Sequence, residues 1–153
     1  MAFEFRLKAL LRHREFLLRE AQGAFGAALA EKMKIESDIE GLRNTLEGDS
    51  KTFEEEQREG IGVKRYLYFK DRLAFLEQEL RQAFKRMQNA AAEVERRKRA
   101  MIECDKSVKT LENIQTRDRQ SYKLAREREE QKRVDYAAVL LAHRKTIDKG
   151  EKP

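Results

Sequence analysis

His13, His143 and Cys104 are the only imidazoles and the only thiol in the chain, so they are the first residues to test for metal ligation or nucleophilic chemistry. A zinc site draws three or four such ligands to one point, and a cysteine nucleophile needs a base within hydrogen-bond reach. These three are too few and too far apart in sequence for either. Carboxylates are the opposite case: the chain carries 28 Asp and Glu, so any one pair means little. Acid–base work also needs a concave site that sets two pKa values apart. No G-x-x-x-x-G-K-[ST] loop is present to cradle a nucleotide phosphate. The expectation is a protein with no catalytic residues, no metal and no cofactor, and thus not an enzyme. What remains is the chemistry of contact, carried by three groups of apolar residues. Tyr68 and Phe75 lie among Tyr66 and Phe69; Phe3, Phe5, Leu7 and Leu10 crowd the N-terminus; and Tyr136-Ala137-Ala138-Val139-Leu140-Leu141-Ala142 is apolar most of the way round a helix.

The elements that carry these groups follow from periodicity. From Val63 to Ile147 there is no glycine and no proline. With Tyr66 as position a, the a and d positions through Leu111 are all apolar except Arg97. A stripe two positions wide in every seven is the seam of a coiled coil, narrower than one wall of a globular core. Tyr68 and Phe75 fall at position c, off that seam, where aromatic side chains on a thin helical pair mark a protein contact. A second heptad register runs from Leu7 to Phe53, interrupted only at Arg14, Lys32 and Asp49. Between the registers lies Gly60-Ile61-Gly62, and glycine commonly follows a helix end because it accepts the left-handed conformation. The pattern predicts an all-α fold, an antiparallel two-helix coiled coil, in one extended domain spanning 1–153. Helix 1 covers about 4–58, a turn 59–62, and helix 2 about 63–147.

Folding the chain back at Ile61 puts a positions beside d positions in pairs whose residue numbers add to one constant. Phe53 meets Phe69, Leu46 meets Leu76, Leu42 meets Leu80, Ile39 meets Ala83, Ile35 meets Met87, and Leu11 meets Leu111. Helix 1 then runs out when its partner reaches about residue 117, and helix 2 continues as a long single-helix C-terminal overhang. The seam weakens there, with Gln115, Asp118, Glu129 and Lys132 at a and d. An unpaired helix that carries Tyr136–Ala142 needs a partner. Within helix 1, Gly41 and Gly48 each cost about 1 kcal/mol relative to alanine, and Gly48-Asp49-Ser50 is a candidate kink.

Composition narrows the partners. Charged residues are 41% of the chain, against roughly a quarter in an ordinary soluble domain. The net charge of +6 comes from interleaved acids and bases, such as Glu54-Glu55-Glu56 and Arg96-Arg97-Lys98-Arg99. Basic residues on a long helix can track phosphates, which leaves a nucleic-acid-binding arm as an alternative. The interleaved acids and the lack of alternating aromatic and basic residues argue against it, and no nucleic acid is expected. No apolar run is long enough for a signal peptide or a membrane span, so the chain is expected to stay in the cytosol. Cys104 at a d position reads as a small buried hydrophobe.

Several segments together resemble the flagellar export protein FliJ family over nearly the full length. They are Phe3-x-Phe5-x-Leu7-x-x-Leu10-Leu11-x-x-Arg14, the glycine turn followed by Arg65-Tyr66-x-x-Phe69 and Leu76-Glu77, then Lys109-x-Leu111-Glu112. The last is Glu130-Gln131-Lys132-x-x-Asp135-x-x-Ala138 in the overhang. The resemblance implies a coiled-coil stalk of the bacterial flagellar type III protein export apparatus, similar in shape to the central stalk of rotary ATPases. It implies binding to the hexameric flagellar export ATPase, to the export gate protein FlhA and to export chaperones. The location implied is cytoplasmic, at the inner membrane of the flagellar base, with the membrane reached only through the apparatus. On this reading Phe3, Phe5, Leu7, Leu10, Tyr136, Val139 and Leu140 face the ATPase, and Leu42, Tyr66, Tyr68, Phe69, Phe75 and Leu76 face the gate. The equivalent stalk of a virulence type III secretion system shares the same features and stays open as an alternative.

Overall fold

The computed structural model describes residues 2–150; Met1 and Glu151–Pro153, the extreme ends of the expected domain, lie outside the described residues. Two long helices packed against each other make up the fold, α1 (Lys8–Glu59) and α2 (Val63–Gly150), with no strand among the described residues. The chain divides into two compact units, Met1–Glu15 with Lys106–Pro153, and Phe16–Asp105. Both helices pass through both units.

The Phe16–Asp105 unit is the helical hairpin proper. α1 stops at Glu59 because Gly60 takes φ 97°, the left-handed conformation that closes a helix without a Cβ clash. The carbonyl of Gly62 accepts the Tyr66 N–H at 3.0 Å and opens α2. Past the turn the helices meet in the layers that the heptads require. Phe53 and Phe69 rings lie 5.2 Å apart. Ile35, Ile39 and Ala83 form a buried cluster against which Leu42, Leu80, Met87 and Ala90 pack. Ala83 is fully buried, so the two helices approach closely at that layer. Arg97, the one charged residue on the helix 2 seam, turns its guanidinium aside to Glu93 on its own helix, Nε to Oε1 at 2.7 Å. α1 continues unbroken through Gly48-Asp49-Ser50. Thr45 and Thr52 each donate a hydroxyl hydrogen bond to the carbonyl four residues back, at Gly41 and Gly48, 2.9 and 3.0 Å. Those bonds occupy side chains that otherwise compete with helical bonding.

The second unit holds the chain termini. α1 opens at Lys8 and not near residue 4, because residues 2–7 run as a non-helical segment. Phe5 is buried with Leu11, Val108 and Leu111. The Phe5 carbonyl accepts the Lys8 N–H at 3.1 Å and the Leu7 carbonyl accepts the Leu11 N–H at 2.9 Å, so the segment feeds directly into the first helical turn. Phe3 packs on Tyr122 at 5.6 Å between ring centroids. Cover of α2 therefore reaches Tyr122 and does not end near residue 117. From Lys123 to Gly150 every residue of α2 is exposed.

Candidate partner-binding surfaces

Near the turn, the six residues expected to face the gate divide by burial. Phe69 and Leu76 are buried and Leu42 is half-buried against the Ile35, Ile39 and Ala83 cluster. Their side chains hold the hairpin together. Tyr66, Tyr68 and Phe75 are exposed, Phe75 at 60%. Position c puts Tyr68 and Phe75 outside the seam, while Tyr66, though on it, sits only one turn into α2 and leans on Phe53 at 5.5 Å.

Tyr68 is held in place by a charged pair. Arg65 forks onto Glu56, Nε to Oε2 at 3.0 Å and Nη2 to Oε1 at 3.1 Å, across the turn. The guanidinium carbon lies 4.8 Å from the Phe69 centroid and 5.3 Å from that of Tyr68. Tyr68 in turn meets Phe69 edge-on at 5.6 Å. One arginine thereby ties α1 to α2 and restrains an exposed tyrosine, using a planar cation that hydrogen-bonds in its plane and stacks on its face. The Arg65 hydrogen bond holds the Glu56 carboxyl below the ordinary glutamate value, and Glu56 raises Arg65. One step along, Arg72 bonds Asp49 and is raised by it. Sequence reasoning did not pair Glu56 with Arg65 or Asp49 with Arg72, yet a signal was there. Each acid and its arginine stand nearly equidistant from the turn, close to the pairing constant of the apolar layers.

At the terminal end, Phe5 is buried, Phe3 and Leu7 are half-buried, and Leu10 is exposed. Phe3 is held between Tyr122 and the Arg119 guanidinium, 5.7 Å above its ring, and Arg6 reaches Asp118 at 3.9 Å. The N-terminal apolar group is thus largely occupied in covering α2. Tyr136, Val139 and Leu140 are in the opposite state, with Tyr136 and Val139 about two-thirds exposed. Leu124, Val134, Leu141 and Ile147 are exposed on the same stretch. Helix persists there without tertiary support because the sequence is rich in alanine, leucine, arginine, glutamate and lysine, with pairs four residues apart. The Gln131 amide donates to Asp135 Oδ1 at 2.9 Å in that manner.

Among the described residues no group of three or more His, Cys, Asp or Glu could hold a metal ion, and no helix is long and apolar enough to cross a membrane. Cys104 is half-buried on the hairpin seam.

A helical hairpin whose described surface offers exposed aromatics at the turn and an uncovered apolar helix belongs to the class of coiled-coil proteins that work by contact. The family model described as the flagellar FliJ protein matches residues 3–146, and the chain belongs to that family. Membership makes it a component of flagellar protein export. No curated protein and no solved structure matched the chain.

Proposed function

We propose that this protein is the stalk of the export apparatus, a coiled coil that binds the hexameric export ATPase, promotes its assembly or turnover, and links it to the gate protein FlhA and to export chaperones. The observation that carries the reading is the bare helix from Lys123 to Gly150, with its apolar stretch Tyr136–Ala142 open on all sides. A single helix about 10–12 Å wide is suited to entering a ring, and an apolar band on it gains free energy only when something covers it. Tyr136, Val139 and Leu140 make the ATPase contact on this reading, with Leu10 and Phe3 at the root of the overhang. Tyr68, Phe75 and Tyr66 offer the gate an aromatic surface in which Tyr68 is preorganised by Arg65, so that little of its side-chain entropy is lost on binding. Its place is the cytoplasmic side of the inner membrane, held there by the apparatus.

The test is ATP turnover by the purified export ATPase of the same organism, with and without this protein near stoichiometric ratio. Stimulation is expected, and it should vanish when residues 134–147 are removed while the hairpin stays folded by circular dichroism. Unchanged turnover and no co-sedimentation with the ATPase would overturn the reading.

A further inference from the structure

The bare end of α2 is a surface in search of cover, and its charges select one occupant. Continuing the α2 heptads places Tyr136 and His143 at a, Val139 and Thr146 at d, and Leu140 at e. Asp135 and Lys149 both fall at g. In an antiparallel pair of identical helices a faces d and each g faces the partner's g. Val139 of one copy then meets His143 of the other, Leu140 meets Leu140, and Asp135 meets Lys149 twice by symmetry. The flanks agree with this direction. Between 143 and 150, C-terminal to the apolar stretch, stand Arg144, Lys145 and Lys149 with one acid, Asp148; between 123 and 135, N-terminal to it, four acids, Glu127, Glu129, Glu130 and Asp135, stand among five bases. Antiparallel pairing sets the basic flank beside the acidic residues, whereas parallel pairing sets two basic flanks side by side.

We propose that a second copy of this chain covers the 123–150 helix, in an antiparallel, two-fold symmetric dimer centred on Leu140. The inference goes beyond the stalk reading and does not depend on it. Where both hold, the dimer is the state of the free protein and competes with any ring for the same residues. A closed isologous contact of this kind consumes the patch in both copies and does not propagate into filaments.

The test is the mass of the full-length chain by analytical ultracentrifugation across a concentration series. A monomer–dimer equilibrium is expected. Leu140→Glu should abolish the dimer while circular dichroism shows the helices retained. Orientation is read from charge. Asp135→Lys and Lys149→Asp should each weaken the dimer roughly tenfold, and the two together should restore it, because opposite charges meet again. In a parallel dimer those residues stand 14 positions apart, about 21 Å, and the exchange has no effect. A monomer at every concentration, or a dimer indifferent to Leu140→Glu, overturns the proposal. A dimer that Leu140→Glu breaks but the charge exchange leaves unmoved overturns the antiparallel arrangement.

Discussion

Ile39→Ala and Leu140→Ala remove the same three carbons from opposite environments, and the contrast separates scaffold from contact surface. Ile39 is 6% exposed, in the cluster with Ile35 and the fully buried Ala83. At about 0.8 kcal/mol per buried carbon the transfer loss is about 2.4 kcal/mol. The seam is one layer deep and open at its sides, so water or a shifted Leu42 relieves part of the void. The total should fall at the low end of the 2–5 kcal/mol seen for such truncations, about 2.5–3 kcal/mol, and Tm should drop on the order of 10 °C. Leu140 is 46% exposed on the uncovered part of α2. Alanine there costs the hairpin nothing in packing and gains a little in helix propensity, so Tm should move by less than about 0.5 kcal/mol equivalent. Covering a leucine on binding is worth about 1.5–3 kcal/mol, so ATPase affinity should fall roughly tenfold to a hundredfold for Leu140→Ala. Thermal melts by circular dichroism at low protein concentration, paired with titration of the ATPase, read both effects. Equal destabilisation by the two variants, or ATPase binding untouched by Leu140→Ala, would refute the reasoning.

Three further outcomes are expected. Glu56 has a depressed folded-state pKa, so its contribution is present above the unfolded glutamate value and is lost as pH falls through the folded one. Carbon-13 NMR titration should place its midpoint below the ordinary glutamate value, and Arg65→Gln should raise it; a midpoint unmoved by Arg65→Gln would contradict this. Phe5→Ala should release residues 2–7 and accelerate amide exchange between 106 and 122, with the Phe16–Asp105 unit unaffected beyond about 0.5 kcal/mol; uniform loss of protection in both units would contradict it. Gly60→Ala should destabilise the hairpin by about 1–2 kcal/mol in denaturant melts, because alanine is strained at φ 97°, whereas open space surrounds the site; Gly62→Ala, in equally open space, serves as the comparison.

The sequence by itself determined the helices, the turn and the layers between them. All three are local or periodic properties: an uninterrupted run of helix formers, a glycine after a helix end, and a heptad repeat that fixes every layer once one is placed. Phe53 with Phe69 and Ile39 with Ala83 followed from arithmetic on residue numbers. The bare apolar stretch 136–142 was legible for the same reason, since no complementary segment remained to cover it.

Only the tertiary structure decided how the N-terminal residues are used. Phe3-Glu4-Phe5-Arg6-Leu7 alternates apolar and polar residues, a period unlike that of a helix. Helical and non-helical backbone compete closely over so short a run, and the fold settles it with Phe5 buried and Phe3 held against Tyr122. The same holds at the turn. The distance of Arg65 from the turn nearly matches that of Glu56, but only the fold lays its guanidinium over two rings. Which rings face a partner and which hold the hairpin depends on that placement, because heptad position says which side of the helix a ring is on and not how far its neighbours cover it.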